Sequence, residues 1–103
     1  MLKIADESVR PGNNIGLMLG IMIAEQVFAE FGIECIITSL NDKRHSRTSL
    51  HYADQAVDFR SRHMPSNLDG HAIAHEIKSR CSKHYDVIYE GDHFHLEFQP
   101  RGH

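Results

Sequence analysis

The sequence YDVIYEGDHFHLEF (residues 85–98) decides the fold, because it predicts two strands joined by a tight turn. The strands are expected over Tyr85–Glu90 and His93–Phe98, with the turn at Gly91–Asp92. Strands so close in sequence pair in antiparallel fashion. Successive side chains of a strand point to opposite faces, so the last strand has one apolar face for the core. Its other face carries His93, His95 and Glu97.

The remaining elements follow from hydrophobic periodicity and from the turn residues that flank each segment. They are a short extended piece and a loop over residues 1–14, helices over Ile15–Phe31 and Leu68–Lys83, strands over Ile33–Thr38 and Ala56–Arg60, and a polar loop over Asn41–Thr48. We therefore predict a single α+β domain over residues 1–103. Two helices should pack on one side of a small, mainly antiparallel sheet.

Composition excludes several classes of protein. The chain of 103 residues is 41% hydrophobic and has a formal net charge of -3, so nothing suggests a nucleic-acid-binding surface. The apolar run Ile15–Ala24 is ended by Glu25 and is too short to span a membrane. Asp6 and Glu7 stand where a signal peptide would be basic, so we expect a chain made in the cytoplasm without an export signal.

The two cysteines are too few to suggest a secreted disulfide framework. We expect Cys35 and Cys81 to be buried or half-buried thiols without a catalytic role.

Nine histidines are unusual in a chain of this length, and their positions indicate which of them carry chemistry. His95 lies on the polar face of the last strand, and Asp58 alternates away from the apolar residues beside it. His51 precedes Asp58 by seven residues, about 23 Å in an extended chain. For both to bind one metal the chain must fold back between them, and we expect that reversal at residues 53–55. His71 and His75 are four apart on the second helix, where a solvated face is the simpler interpretation.

These stretches resemble a known family. Ser49-x-His51, with Asp58 seven residues after the histidine and a late Asp92-x-x-His95, is similar to the zinc DD-peptidases. That family includes D-alanyl-D-alanine carboxypeptidases and dipeptidases, and phage endolysins that cut the L-alanyl-D-glutamate bond of peptidoglycan. The resemblance implies a Hedgehog/DD-peptidase-like fold.

The resemblance also implies a role for each matching residue. His51, Asp58 and His95 would bind one Zn²⁺ per chain, Asp92 would be the catalytic carboxylate, and Ser49 would contact substrate or orient the site. Three protein ligands leave a fourth position for water, which zinc activates near neutral pH.

Other groups near these motifs are candidates for substrate binding. Arg44 and Arg47 could bind a peptide carboxylate or stabilise an oxyanion, or could be solvated loop charges. His93 could line the site, although a structural or surface role is the simpler interpretation. In an ideal strand Asp92 would face away from His95, so its proposed role requires Gly91–Asp92 to be a turn. Glu90 is the alternative carboxylate.

The sequence therefore predicts a zinc-dependent peptidase that hydrolyses peptidoglycan stem peptides, as a carboxypeptidase or an L-alanyl-D-glutamate endopeptidase. The alternatives are a zinc-binding module without catalysis and a phage structural component of the same fold. One hypothesis is that a phage encodes this enzyme and that the enzyme is released to the cell wall. The sequence predicts no particular oligomeric state.

Overall fold

The described part of the chain forms two helices and five strands, close to the segments that the sequence patterns predict. The computed structural model describes the backbone of residues 2–4, 15–43 and 54–99, and the side chains of residues 15–40 and 55–99. The elements are β1 (Leu2–Ile4), α1 (Ile15–Glu30), β2 (Cys35–Lys43), β3 (Asp54–Arg60), α2 (Gly70–Arg80), β4 (Tyr85–Tyr89) and β5 (His93–Phe98). One sheet has the order β1-β2-β3-β5-β4, in which β1 is parallel to β2 and all other pairs are antiparallel. The predicted α+β class is confirmed.

The β4–β5 hairpin forms around the predicted turn. The Glu90 amide donates to the carbonyl oxygen of His93 at 2.8 Å, which closes a two-residue loop of Gly91 and Asp92. Gly91 has φ +92°, whereas Asp92 does not have a positive φ. A positive φ at the first loop position alone is the pattern of a type II′ turn, which favours glycine there. Asp92 is therefore a turn residue.

Two local predictions were wrong. Asn41–Lys43 was expected in a loop, but its backbone continues β2 and pairs with residues 54–56 of β3. Asp54 and Gln55 were expected in a chain reversal, but they are the first residues of β3. The reason is the same in both cases: backbone pairing with a neighbouring strand outweighs a polar local composition that favours turns.

A glycine stops α1, and an aspartate cap begins α2. Gly32 lies two residues after the end of α1 at Glu30 and has φ +74°, as expected of a glycine that stops a helix. The Asp69 side chain accepts a hydrogen bond from the His71 amide at 3.0 Å and caps α2. This cap starts α2 at Gly70, two residues later than predicted, and the helix ends at Arg80 rather than Lys83.

One core joins both helices to a single face of the sheet. Phe28 of α1 lies at its centre, with ring centroids 5.5 Å from Phe59 of β3 and 5.1 Å from Phe94 of β5. All three side chains are almost fully buried. Phe59 and Phe94 lie on the faces of β3 and β5 that pack against the helices. The alternate residues of these two strands therefore face away from the helices. That outer face carries the candidate site.

The two thiols are free, as expected, with Cys35 buried and Cys81 half-buried. Burial raises the pKa of Cys35 to about 12 and also raises the pKa of Cys81. Within the described segments, neither helix is long and apolar enough to cross a bilayer.

Candidate metal centre

Pairing of β3 with β5 brings Asp58 and His95 together. The two residues are register partners in neighbouring antiparallel strands, on the face opposite the helices. Asp58 Oδ1 and His95 Nδ1 are 2.7 Å apart, and the side chains are 23% and 20% exposed. Both are thus partly shielded from water but open to a ligand on one side.

Each member of this pair has a second polar partner on the same face. The Ser39 hydroxyl donates to Asp58 Oδ2 at 2.8 Å. On the other side, His95 Nε2 lies 3.3 Å from Glu97 Oε1. The Gln99 amide donates to the second oxygen of Glu97 at 3.1 Å. These five side chains form one continuous polar row along the outer face of β2, β3 and β5.

The two carboxylates on either side of His95 suit a cation. A neutral imidazole has one N–H, so His95 can donate to only one of its two carboxylate neighbours. When Nε2 donates to Glu97, Nδ1 is an unprotonated donor atom beside Asp58. A metal ion bound between Nδ1 and Asp58 Oδ1 would take the place of the proton that joins these two atoms when Nδ1 carries the N–H.

The distance between these two atoms is somewhat shorter than two ligands of one zinc ion require. Zinc–nitrogen and zinc–oxygen bonds of 2.0–2.2 Å in tetrahedral geometry place two donor atoms roughly 3.3 Å apart. The observed separation of 2.7 Å is a hydrogen-bond distance, so the two side chains would move apart by about 0.6 Å to bind one zinc ion. Ser39 and Glu97 hold the far sides of the two residues, as expected of groups that orient metal ligands.

The third predicted ligand, His51, lies outside the described residues. Within residues 2–4, 15–43 and 54–99, no three His, Cys, Asp or Glu side chains are arranged to hold a metal.

Asp92 and His93 lie at the hairpin turn next to this pair. His93 Nδ1 is 2.6 Å from Asp92 Oδ1, and His93 Nε2 is 3.2 Å from Glu90 Oε1. The hydrogen bond between His93 and Asp92 is the main reason that the pKa of Asp92 is lowered and that of His93 is raised. His93 therefore contacts both carboxylates that were considered as the catalytic base.

A groove of about 750 Å³ lies between Asp58 and the hairpin turn. It is lined by Thr38, Asp58, Arg60, Arg62, His63, Asp92 and His93. The predicted ligand Asp58 and the predicted base Asp92 thus face the same cavity. A peptide segment could lie in a groove of this volume.

The remaining site predictions concern residues 44–51 and the two histidines of α2. Ser49, Arg44 and Arg47 lie outside the described residues, like His51. His71 and His75 are both exposed on α2, as expected of a solvated face, and the His71 ring packs edge-on against Tyr89.

Sequence reasoning assigned no role to Ser39, Glu97, Arg60, Arg62 or His63. Alternation along a strand could have identified two of them, because Glu97 shares a face with His95, and Arg60 shares a face with Asp58. Ser39 gave no local signal, since it reaches Asp58 only through long-range pairing after an irregularity in the β2–β3 register.

Comparisons with protein-family models, with curated proteins and with solved structures found no match.

Proposed function

We propose that this protein is a zinc-dependent peptidase that hydrolyses peptide bonds in peptidoglycan stem peptides. One observation carries the proposal. Asp58 and His95 are 37 positions apart in the chain, but Asp58 Oδ1 and His95 Nδ1 lie 2.7 Å apart. The motif resemblance implies that both residues are ligands of one metal ion. The β3–β5 register makes the two residues direct partners, and the motif resemblance supports a shared metal ion as the role of this pair.

In the proposed mechanism, Asp58 and His95 would hold the metal together with His51. A zinc ion held there would supply a water of lowered pKa and an electrophile for the scissile carbonyl. Asp92 accepts the proton of the attacking water and passes it to the leaving amine, which is general acid–base catalysis. His93 orients the Asp92 carboxylate through their 2.6 Å contact. Ser49, Arg44 and Arg47 are proposed to contact the substrate.

The test combines metal analysis with a peptidoglycan digest. Purified protein should contain about one zinc per chain, as expected of a three-ligand site. Incubation with purified peptidoglycan should release fragments that mass analysis assigns to stem-peptide cleavage, and a chelator should abolish their release. Asp92→Asn should keep zinc and lose hydrolysis, whereas Asp86→Asn on β4 should keep both. Full hydrolysis by the Asp92→Asn variant would refute the proposed mechanism.

A zinc-binding module without catalysis is the second candidate. It is favoured by the same 2.6 Å contact, because a carboxylate hydrogen-bonded to His93 is a weaker base than a free one. Stoichiometric zinc without turnover of any peptidoglycan fragment would support this candidate over the peptidase. The same result would suit a phage structural component, whereas turnover would suit an enzyme released to the cell wall.

A further inference from the structure

Helix α1 presents an apolar stripe on the side opposite the core. The side chains of Ile15, Leu19 and Met22 are 76%, 51% and 59% exposed. Their spacing of four and three residues places them on one side of the helix, and they form what we call the α1 stripe. Three of the five large apolar side chains that are exposed in the described residues lie in this stripe. The other side of α1 is buried and consists of Leu17, Gly20, Ile21, Ala24, Val27 and Phe28.

The composition of α1 differs from that of a helix whose outer side meets water. A surface helix normally carries polar and charged residues opposite the core, whereas a helix that is apolar on all sides is normally buried. In α1 the only charged residues are Glu25 and Glu30, both close to the C-terminal end. The first three turns have no charge to keep the α1 stripe hydrated. The stripe is therefore suited to contact with another apolar surface.

We propose that the α1 stripe is the contact between two copies of this chain, whose α1 helices pack in antiparallel orientation about a twofold axis. A twofold contact uses the same patch on both copies, so the patch must match itself in reverse order. The α1 stripe meets this requirement. With the axis between Leu19 and Met22, Leu19 of one copy lies opposite Met22 of the other. Four residues further out, Ile15 then lies opposite Gln26, the residue that continues the line of the stripe.

The charges of α1 favour the antiparallel orientation. In a parallel pair, the acidic C-terminal ends of the two helices would lie side by side and repel each other. In the antiparallel pair, Glu25 lies beside Gly16 of the other copy, in the first turn of that helix. Unpaired backbone amides and the helix dipole favour a negative charge there. Glu30 is already bound by Arg80 of its own chain.

Charge also argues against a membrane surface as the occupant of the stripe. Helices that lie on membranes are rich in lysine and arginine on their polar face, which attracts anionic lipids. Helix α1 has neither residue, and the chain has a formal net charge of -3. A second copy of the chain needs no such cations, because the apolar stripe itself forms the contact.

This pairing leaves the candidate metal centre open. Helix α1 packs on one face of the sheet, whereas Asp58 and His95 lie on the other face. In the dimer the two α1 helices lie between the sheets, and the two outer faces point away from each other. The inference therefore does not rest on the proposed function and can be tested without any substrate.

The first experiment measures the oligomeric state of the full chain by sedimentation equilibrium. A chelator is present, so that histidines of two copies are not bridged by metal. The wild type should show a monomer–dimer equilibrium between about 1 μM and 1 mM, as expected of a small interface. Leu19→Glu should raise the dimer Kd by about a hundredfold or more, because a twofold contact brings two new charges into an apolar surface. His75→Glu adds the same charge at an exposed position of α2 and should leave the Kd unchanged.

A wild type that stays monomeric to about 1 mM would overturn the proposal, as would wild-type dimerisation of Leu19→Glu. Flotation of a monomeric wild type with vesicles of phosphatidylglycerol and phosphatidylcholine would overturn it in favour of a membrane surface. Circular dichroism should show a wild-type fold for Leu19→Glu, because the side chain is exposed.

A second experiment tests the orientation of the two helices. Met22→Lys alone should weaken the dimer as Leu19→Glu does. The double variant places opposite charges across an antiparallel pair, so it should dimerise more tightly than either single variant. In a parallel pair the same double variant would place like charges opposite each other. A double variant that dimerises no better than the single variants would overturn the antiparallel contact.

Discussion

Asp58 and His95 face each other across β3 and β5, with Oδ1 and Nδ1 2.7 Å apart. The strand register fixes this relationship, since the two residues are direct partners in the sheet. The contact therefore depends on backbone pairing more than on side-chain flexibility, and single side-chain changes can be made without disturbing the strands.

Replacing His95 by alanine should abolish stabilisation by zinc. A ligand present at one hundred times its Kd adds about 2.7 kcal/mol to the free energy of unfolding of the protein that binds it. The wild type should gain this amount with zinc, and His95→Ala should gain none. Denaturant unfolding with zinc and with a chelator measures the difference. His75→Ala, which removes an exposed histidine from α2, serves as the control. Equal zinc stabilisation of His95→Ala and the wild type would exclude His95 as a ligand.

Glu97 should strengthen zinc binding because it positions the His95 ring. Its Oε1 lies 3.3 Å from His95 Nε2, where it can hold the tautomer that leaves Nδ1 free for metal. Glu97→Ala should weaken zinc binding by about 10- to 100-fold, as is usual for groups that orient metal ligands. Glu97→Gln keeps an acceptor oxygen and should restore most of the affinity. Nitrogen-15 NMR of the His95 ring in zinc-free protein should show a shift in tautomer for the alanine variant only. An unchanged ring signal in Glu97→Ala would show that Glu97 does not position His95.

The two thiols should differ in reactivity. Cys35 is buried and its pKa is raised to about 12, whereas Cys81 is half-buried and therefore more accessible to a reagent in solution. Because the thiolate is the reactive form, iodoacetamide at pH 8 should label Cys81 first in the folded protein. Peptide mapping by mass spectrometry measures both sites, and denaturant should make their labelling similar. Preferential labelling of Cys35 in the folded state would contradict this packing.

The Glu30–Arg80 ion pair should contribute to acid sensitivity. Its two hydrogen bonds of 2.7 Å from Arg80 lower the pKa of Glu30 below its usual value of 4.5. A carboxyl whose pKa is lower in the folded state stabilises the fold above its unfolded pKa. That contribution is lost as the pH falls through the lowered value. Glu30→Gln should therefore unfold with a shallower dependence on pH below about 4.5. The effect should be small, since the pair is exposed, and urea unfolding at pH 3 to 6 measures it. If the stability of Glu30→Gln fell more steeply than that of the wild type as the pH is lowered, the ion pair would not contribute as described.

The sequence predicted the hairpin well because its signals are local. A glycine–aspartate turn between alternating strands determines both the reversal and the face on which His95 lies. Asp58 was assigned to the outer face by the same alternation. In contrast, Asn41–Lys43 has a turn-like composition and becomes strand only through its partner β3. The contact between Ser39 and Asp58 likewise depends on register between distant segments, which no local pattern encodes.

Asp58 and His95 are each next in sequence to a core phenylalanine, and these two residues, Phe59 and Phe94, are also register partners. Because successive side chains of a strand point to opposite faces, a slip of β5 by one residue against β3 would turn His95 toward the core and Phe94 toward water. Burial of the two rings on one face of the sheet therefore protects the pairing of the two polar residues on the other face.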